Sequence, residues 1–198
     1  ALSAVAGFVD AVAFVELGGY FVSFMSGNST RLGVGLALDW SHAAIAASLI
    51  ACFIVGVILG AFANRHANKA GSIRVLVMVT AILACAALLA GLHATAAAIG
   101  ALAIAMGAVN SVFQRDGEVS IGITYMTGTL VRFGQRIAGA LMGGPRYAWA
   151  PYLLLWLGLI LGAVAGAAAY QSYALGAIWL ATAAAATITL VFTRLPAD

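Results

Sequence analysis

Charged side chains fall in clusters along this chain, and the stretches between them are almost wholly apolar. No Asp, Glu, Lys or Arg occurs in residues 40–64, 75–114 or 147–193. A hydrocarbon core about 30 Å thick takes roughly 20 helical residues. The first window therefore predicts one membrane span, and the second and third predict two each. Residues 1–20 add a further span, interrupted by Asp10 and Glu16. The expected spans are 1–18, 42–63, 74–92, 96–113, 149–170 and 173–193. The apolar opening is read as a span and not as a signal peptide, because no polar mature domain follows it. A short native stretch is expected ahead of residue 1.

Composition narrows the class further. Of the 198 residues, 64% are hydrophobic and 8% are charged, where a soluble domain carries about 25% charge. The mean hydropathy is +1.08. A water-soluble globule is excluded, and the expectation is an all-α integral membrane protein with one membrane domain over 1–198. The net charge of +3 reports topology, since no basic run with interleaved aromatics suggests nucleic acid. Lys and Arg accumulate in cytoplasmic loops. Arg65, Lys69 and Arg74 place the loop 64–74 inside, and Arg115, Arg132, Arg136, Arg146 and Arg194 follow, which puts the C-terminus inside too. Arg31 is the basic residue that breaks the rule. The expected location is a bacterial inner membrane.

The segments 19–38 and 117–141 are too apolar for loops, yet each carries arginine. They are copies of each other. Gly7-Phe8-Val9-Asp10 pairs with Gly107-Ala108-Val109-Asn110 at an offset of 100. Phe24-Met25-Ser26-Gly27-Asn28 and Arg31-Leu32-Gly33 pair with Tyr125-Met126-Thr127-Gly128-Thr129 and Arg132-Phe133-Gly134 at 101. Gly56-Val57-Ile58-Leu59-Gly60-Ala61 pairs with Gly158-Leu159-Ile160-Leu161-Gly162-Ala163 at 102. Three collinear blocks define internal repeats of about 1–94 and 95–198. Three spans per half is an odd number, so the halves are expected to be inverted. The predicted architecture is a 3+3 inverted repeat of six transmembrane helices, with two re-entrant half-helix motifs. The rival is eight full spans in a 4+4 parallel repeat.

In the inverted arrangement each motif enters and leaves on one side. Gly18-Gly19 and Gly117 supply the breaks, and short helices are expected over about 29–38 and 129–141, capped by Ser26, Asn28, Ser29, Thr127 or Thr129. A helix start at membrane depth offers free N–H donors and a partial positive charge. Arg31 and Arg132 lie about one turn further on, with donor forks suited to oxyanions. Asp10 is ionisable within a span, and its equivalent is the neutral Asn110. The candidate substrate- or ion-binding residues are therefore Asp10, Ser26, Asn28, Arg31, Asn110, Thr127, Thr129 and Arg132.

Each of these has a plainer reading beside it. The arginines could snorkel to headgroups, Asp10 could pair with Arg31, and Met25 and Met126 could be packing residues. Glu16 is read as interfacial. Trp40, Tyr147, Trp149 and Tyr152 sit where an aromatic belt would lie. Gly56/Gly60 and Gly158/Gly162/Gly166 are small-residue stripes for close helix packing, either between the halves or between protomers of a homo-oligomer. Cys52 and Cys85 are read as packing residues, and the histidines lack a second ligand at metal spacing. No metal, cofactor or catalytic constellation is expected.

The run from Gly7 to Gly33 resembles the opening of the YoaK-like family of bacterial membrane proteins, a domain of unknown function. Gly7, Asp10, Ala11, Phe21, Met25, Ser26, Gly27, Asn28, Arg31 and Gly33 carry the likeness. Gly107, Asn110, Thr124, Met126, Thr127, Gly128 and Thr129 carry it in the second half, where Val109 and Ser111 depart from the family pattern. The resemblance covers essentially the whole chain and implies membership, without a substrate. The functional expectation is a secondary transporter of a small anionic or carbonyl-bearing solute, with proton coupling through Asp10. Its alternatives are a passive channel and a non-transporting scaffold or lipid-binding protein.

Overall fold

The computed structural model of the chain describes residues 1–115, 118–119 and 124–195. Helices make up almost all of it, because a chain this poor in polar groups must satisfy its backbone internally once it leaves water. In chain order these are α1 (Leu2–Glu16), α2 (Met25–Leu38), α3 (Trp40–Ala63), α4 (Lys69–Gly91), α5 (Thr95–Ala108), α6 (Met126–Leu141), α7 (Ala150–Tyr173) and α8 (Ile178–Arg194). A 3₁₀ turn, Val109–Phe113, extends α5, and a second, Ala174–Ala177, joins α7 to α8. Two-residue strands, Gln114–Arg115 and Glu118–Val119, pair antiparallel beyond the first of these turns.

Among the described residues, four helical stretches are long and apolar enough to cross a membrane: Trp40–Ala63, Lys69–Gly91, Thr95–Phe113 and Ala150–Arg194. The last is broken at Ala174, whose φ of 46° and ψ of −134° no helix can hold. The break between the spans expected over 149–170 and 173–193 therefore falls a few residues later than those bounds imply. The turn between the spans expected over 74–92 and 96–113 is made where α4 ends, with His93 at a φ of 59°. Asp39 starts α3 by capping it. Its carboxylate accepts from the Ser41 hydroxyl at 2.6 Å and the Ser41 N–H at 2.9 Å, and it meets His42 Nδ1 at 2.8 Å. These contacts, the Ser41 hydroxyl foremost, hold the Asp39 carboxyl at about 2. Because that lies below a free carboxylate, the cap is complete above about pH 4 and fades as pH falls towards the folded value.

The halves are interleaved. α1 of the first half packs on α7 of the second, and α3 of the first packs on α5 of the second. Both contacts are parallel and so close that backbone meets backbone. A β-carbon on Gly56 would lie 2.0 Å from the Ile104 carbonyl oxygen, and one on Gly107 would lie 2.1 Å from that of Phe53. On the other side, Gly162 would meet the Ala4 oxygen at 2.0 Å, and Gly7 would meet that of Leu159 at 2.1 Å. Glycine stripes are what permit such an approach. Both stripes are thus filled by helices of the same chain. They join α1 to α7 and α3 to α5.

The repeat offsets align Gly56 and Ile104 with Gly158 and Ala4, yet Ala4 faces Gly162, so the second contact has slipped by one helical turn. α4 packs against α8, its counterpart in the other half. Thr80 and Thr189 meet there at 3.3 Å, and Lys69 donates to the Leu195 carbonyl. Residues early in α4 thus meet the end of α8, which makes the pair antiparallel.

The glycine contacts yield the first prediction. Gly56→Ala and Gly162→Ala each force a methyl group into a carbonyl, and overpacking of this kind costs about 1–3 kcal/mol. Gly134→Ala on α6, where nothing lies within 4 Å, should leave stability unchanged or slightly raised. Thermal unfolding of the three variants in detergent checks the contrast.

Candidate functional site

After α1 the chain reverses through Gly18 and Gly19, at φ of 64° and 115°. It then runs back along the helix it has just left. At mid-helix the Asp10 carboxylate receives three donors: the N–H of Val22 at 2.8 Å, the N–H of Ser23 at 2.9 Å and the Ser23 hydroxyl at 2.9 Å. Asn28 pins the same strand of backbone, accepting from the Phe21 N–H at 3.1 Å and donating to the Phe21 carbonyl at 2.6 Å. α2 starts there and heads back toward the end of α1. Its Arg31 lies over the Tyr20 ring at 4.9 Å, and the Tyr20 hydroxyl donates to the His42 carbonyl in the first turn of α3 at 3.4 Å.

The second copy repeats this chemistry. Asn110 stands at the Asp10 position and Thr124 at the Ser23 position. The Asn110 side-chain oxygen accepts from the Thr124 N–H at 3.3 Å, and its amide donates to the Met106 carbonyl at 2.9 Å and to the Thr124 hydroxyl at 3.0 Å. The backbone bends alike at both helix starts. Phe24 (φ −90°, ψ 77°) and Tyr125 (φ −86°, ψ 68°) each sit at the centre of a tight turn, closed by Met25 N–H to Ser23 at 3.2 Å and Met126 N–H to Thr124 at 3.0 Å. That is the inverse γ-turn. Gly27 lies under the Phe24 ring and Gly128 under the Tyr125 ring, where a β-carbon would approach ring carbons to 2.6 and 2.1 Å.

These turns correct the expected helix boundaries. α2 begins at Met25 and not near residue 29, and α6 begins at Met126 and not near 129. The γ-turn starts each helix, so the Ser, Asn and Thr residues fall inside its first turns and do not cap it. Neither helix has a side-chain cap. The Ser29 hydroxyl donates to the Met25 carbonyl at 2.8 Å, and the Thr129 hydroxyl to that of Tyr125 at 3.2 Å, as hydroxyls within helices commonly do. Gly117, expected to break the second copy, lies outside the described residues.

The two starts face one cavity of about 830 Å³. Ser23 to Ser26 line it from one side, Thr124 to Thr127 and Thr129 from the other, with Asn110, Arg132, Phe53, Val57 and Tyr152 between them. Of the candidate residues, Ser26, Asn110, Thr127, Thr129 and Arg132 reach this cavity. Asp10 and Asn28 stand behind its wall, holding the loop that forms it. Arg31 is elsewhere, stacked on Tyr20 and 6.0 Å from the Phe21 ring centre. No ion pair joins Arg31 to Asp10 among the described residues.

Several lining residues lay outside the candidate set. Met25 and Met126, read as packing, line the cavity, as do Phe24, Tyr125 and Tyr152. The aromatic residue three positions before each motif glycine was a signal available from the repeat itself. Glu16 accepts from the Tyr170 hydroxyl at 2.6 Å, so it ties α1 to α7.

The fold and site together define an all-α membrane protein with a largely apolar cavity, edged by hydroxyls and Arg132, where two helix starts meet. The family described as "Protein of unknown function (DUF1275)" matches residues 1–191, and the chain belongs to it. It is also 33% identical over 197 residues to the UPF0700 transmembrane protein RA0705 of Rhizobium meliloti (strain 1021), covering 99% of this chain and 85% of that protein. No solved structure matches the chain. The YoaK-like resemblance read from the opening motif agrees with this membership.

The paired anchors predict that Asp10→Asn is tolerated, because an amide oxygen can take both backbone N–H groups as Asn110 takes one. Asp10→Ala strands the buried N–H groups of Val22 and Ser23, at about 1–3 kcal/mol each. Thermal melting in detergent should therefore rank wild type close to Asp10→Asn and well above Asp10→Ala.

Proposed function

We propose that this protein moves a small anionic or carbonyl-bearing solute across a bacterial inner membrane through the cavity between the starts of α2 and α6. The observation that carries this reading is the convergence of two uncapped helix starts and one guanidinium, that of Arg132, on a single open cavity. Free N–H groups and the helix dipole favour an oxygen-bearing ligand there. The role is transport and not catalysis. A scaffold would close the two motifs on each other, and a cavity of about 830 Å³ favours a solute instead.

In this reading the chain is a 3+3 inverted repeat of six spans, with α2 and α6 re-entrant. Inverted repeats place sites at the interface of the halves, near the bilayer midplane. The antiparallel packing of α4 on α8 supports inversion, because a parallel repeat would run these equivalent helices in the same direction. The return of Arg31 to Tyr20 at the end of α1 supports re-entry of α2. The positive charges favour a cytoplasmic location for the loop 64–74 and the C-terminus. Asp10 is given to the loop it anchors, so uptake is expected to continue without a proton gradient.

Uptake of small carboxylates into proteoliposomes tests the proposal. Arg132→Ala should lower saturable uptake by about tenfold or more, the loss of one charge-assisted hydrogen bond, while Arg31→Ala should retain most of it. Equal uptake in wild type and both variants would remove the cavity from the mechanism, and uptake that never saturates would make the protein a channel. Orientation is checked with single cysteines at His66 and His93 in a variant lacking Cys52 and Cys85. An impermeant thiol reagent added to whole cells should label position 93 and spare position 66.

A further inference from the structure

We propose that the ligand is an organic monoanion with an apolar body, captured by Arg136 and held by its carboxylate at Arg132. This rests on the reading above that the cavity binds a solute. Two neighbouring spaces carry it. Beside the main cavity lies a smaller chamber of about 480 Å³, open to the surface and lined by the exposed Arg132, Gln135 and Arg136 and the half-buried Tyr152. Arg132 and Tyr152 line both spaces and so mark their boundary.

The two spaces differ in chemistry. The small chamber is polar and positive: Arg132, Gln135 and Arg136 fall at i, i+3 and i+4 on α6, hence on one face. The main cavity beyond Arg132 is walled by Phe24, Met25, Phe53, Val57, Met126 and Leu155, with Ser26 and Thr127 of the two helix starts also lining it. A compact hydrated oxyanion would give up its water to these apolar walls and gain little in return. An anion with an apolar body leaves its charge at the guanidinium and buries the rest, and a cavity of this size takes such a molecule whole.

The capture chamber is one-sided. At the repeat offset of 101, Arg132, Gln135 and Arg136 correspond to Arg31, Val34 and Gly35. Arg31 is stacked on Tyr20, and Gly35 is packed against the backbone of Ala43. α2 therefore lacks the cationic face of α6, and capture belongs to the α6 side.

Calorimetry on the purified protein in nanodiscs of zwitterionic lipid tests this with three ligands: 3-phenylpropionate, acetate and sulfate. The expected result is 3-phenylpropionate at least tenfold tighter than acetate, with sulfate weaker still. Arg132→Gln should weaken 3-phenylpropionate by about tenfold or more. Arg136→Gln should slow its association and flatten the salt dependence, with a smaller change in affinity. Equal binding of all three ligands, still lost in Arg132→Gln, would overturn the apolar body and leave the anion site standing. No binding of any of them to folded wild-type protein would overturn both. A further arm adds anionic phospholipid to the nanodisc. Competition with 3-phenylpropionate would show a lipid anion using the same head-and-body chemistry, and the absence of competition would assign the site to the free acid.

Discussion

Everything in this molecule depends on two helix pairs approaching until their backbones touch. α1 lies along α7 and α3 along α5, with glycine on both helices of each pair. In lipid there is no hydrophobic gain from bringing helices together, so close van der Waals contact has to supply the cohesion. Because each pair takes one helix from each half, neither half can be a self-contained unit. The interleaving also sets where the short helices can be. α2 and α6 are left to the side, and each is aimed by the segment that precedes it.

That aiming is done by a small polar device used twice. An Asp or Asn at mid-helix receives the backbone and hydroxyl of a Ser or Thr, and a γ-turn at an aromatic residue launches the helix. The following glycine lies under the aromatic ring, so the ring folds onto the first turn of the helix it precedes. Such a device keeps irregular backbone satisfied where no water reaches it. It also explains why one copy can use a carboxylate and the other an amide: the shared task is to accept backbone N–H groups, and either oxygen does so.

The copies diverge where it matters for a ligand. Arg31 and Arg132 occupy equivalent positions, but Arg31 is drawn onto Tyr20 and Phe21, and a cation over an aromatic face is held by the ring quadrupole. The equivalents of those two rings are Ile121 and Gly122, which offer no such face. Arg132 is left to line the cavity. The one-turn slip between the two glycine contacts adds a second asymmetry. A duplicated chain has thus become a one-sided cavity through a few residues outside the shared motif.

The membrane class, the family and the placing of the long helices were legible in the sequence, because apolar length and a short motif are local properties of the chain. The start of each short helix was not, since Ser, Asn and Thr looked like caps while a γ-turn at the aromatic residue had already begun the helix. Nor could the sequence decide between Arg31 and Arg132. Identical local motifs give them identical expectations, and only the neighbours brought in by packing separate a guanidinium stacked on a ring from one facing open space. The same holds for Asp10, whose partners the sequence could not name. Its three donors come from residues more than ten positions away, and that contact exists only once Gly18 and Gly19 turn the chain back on itself.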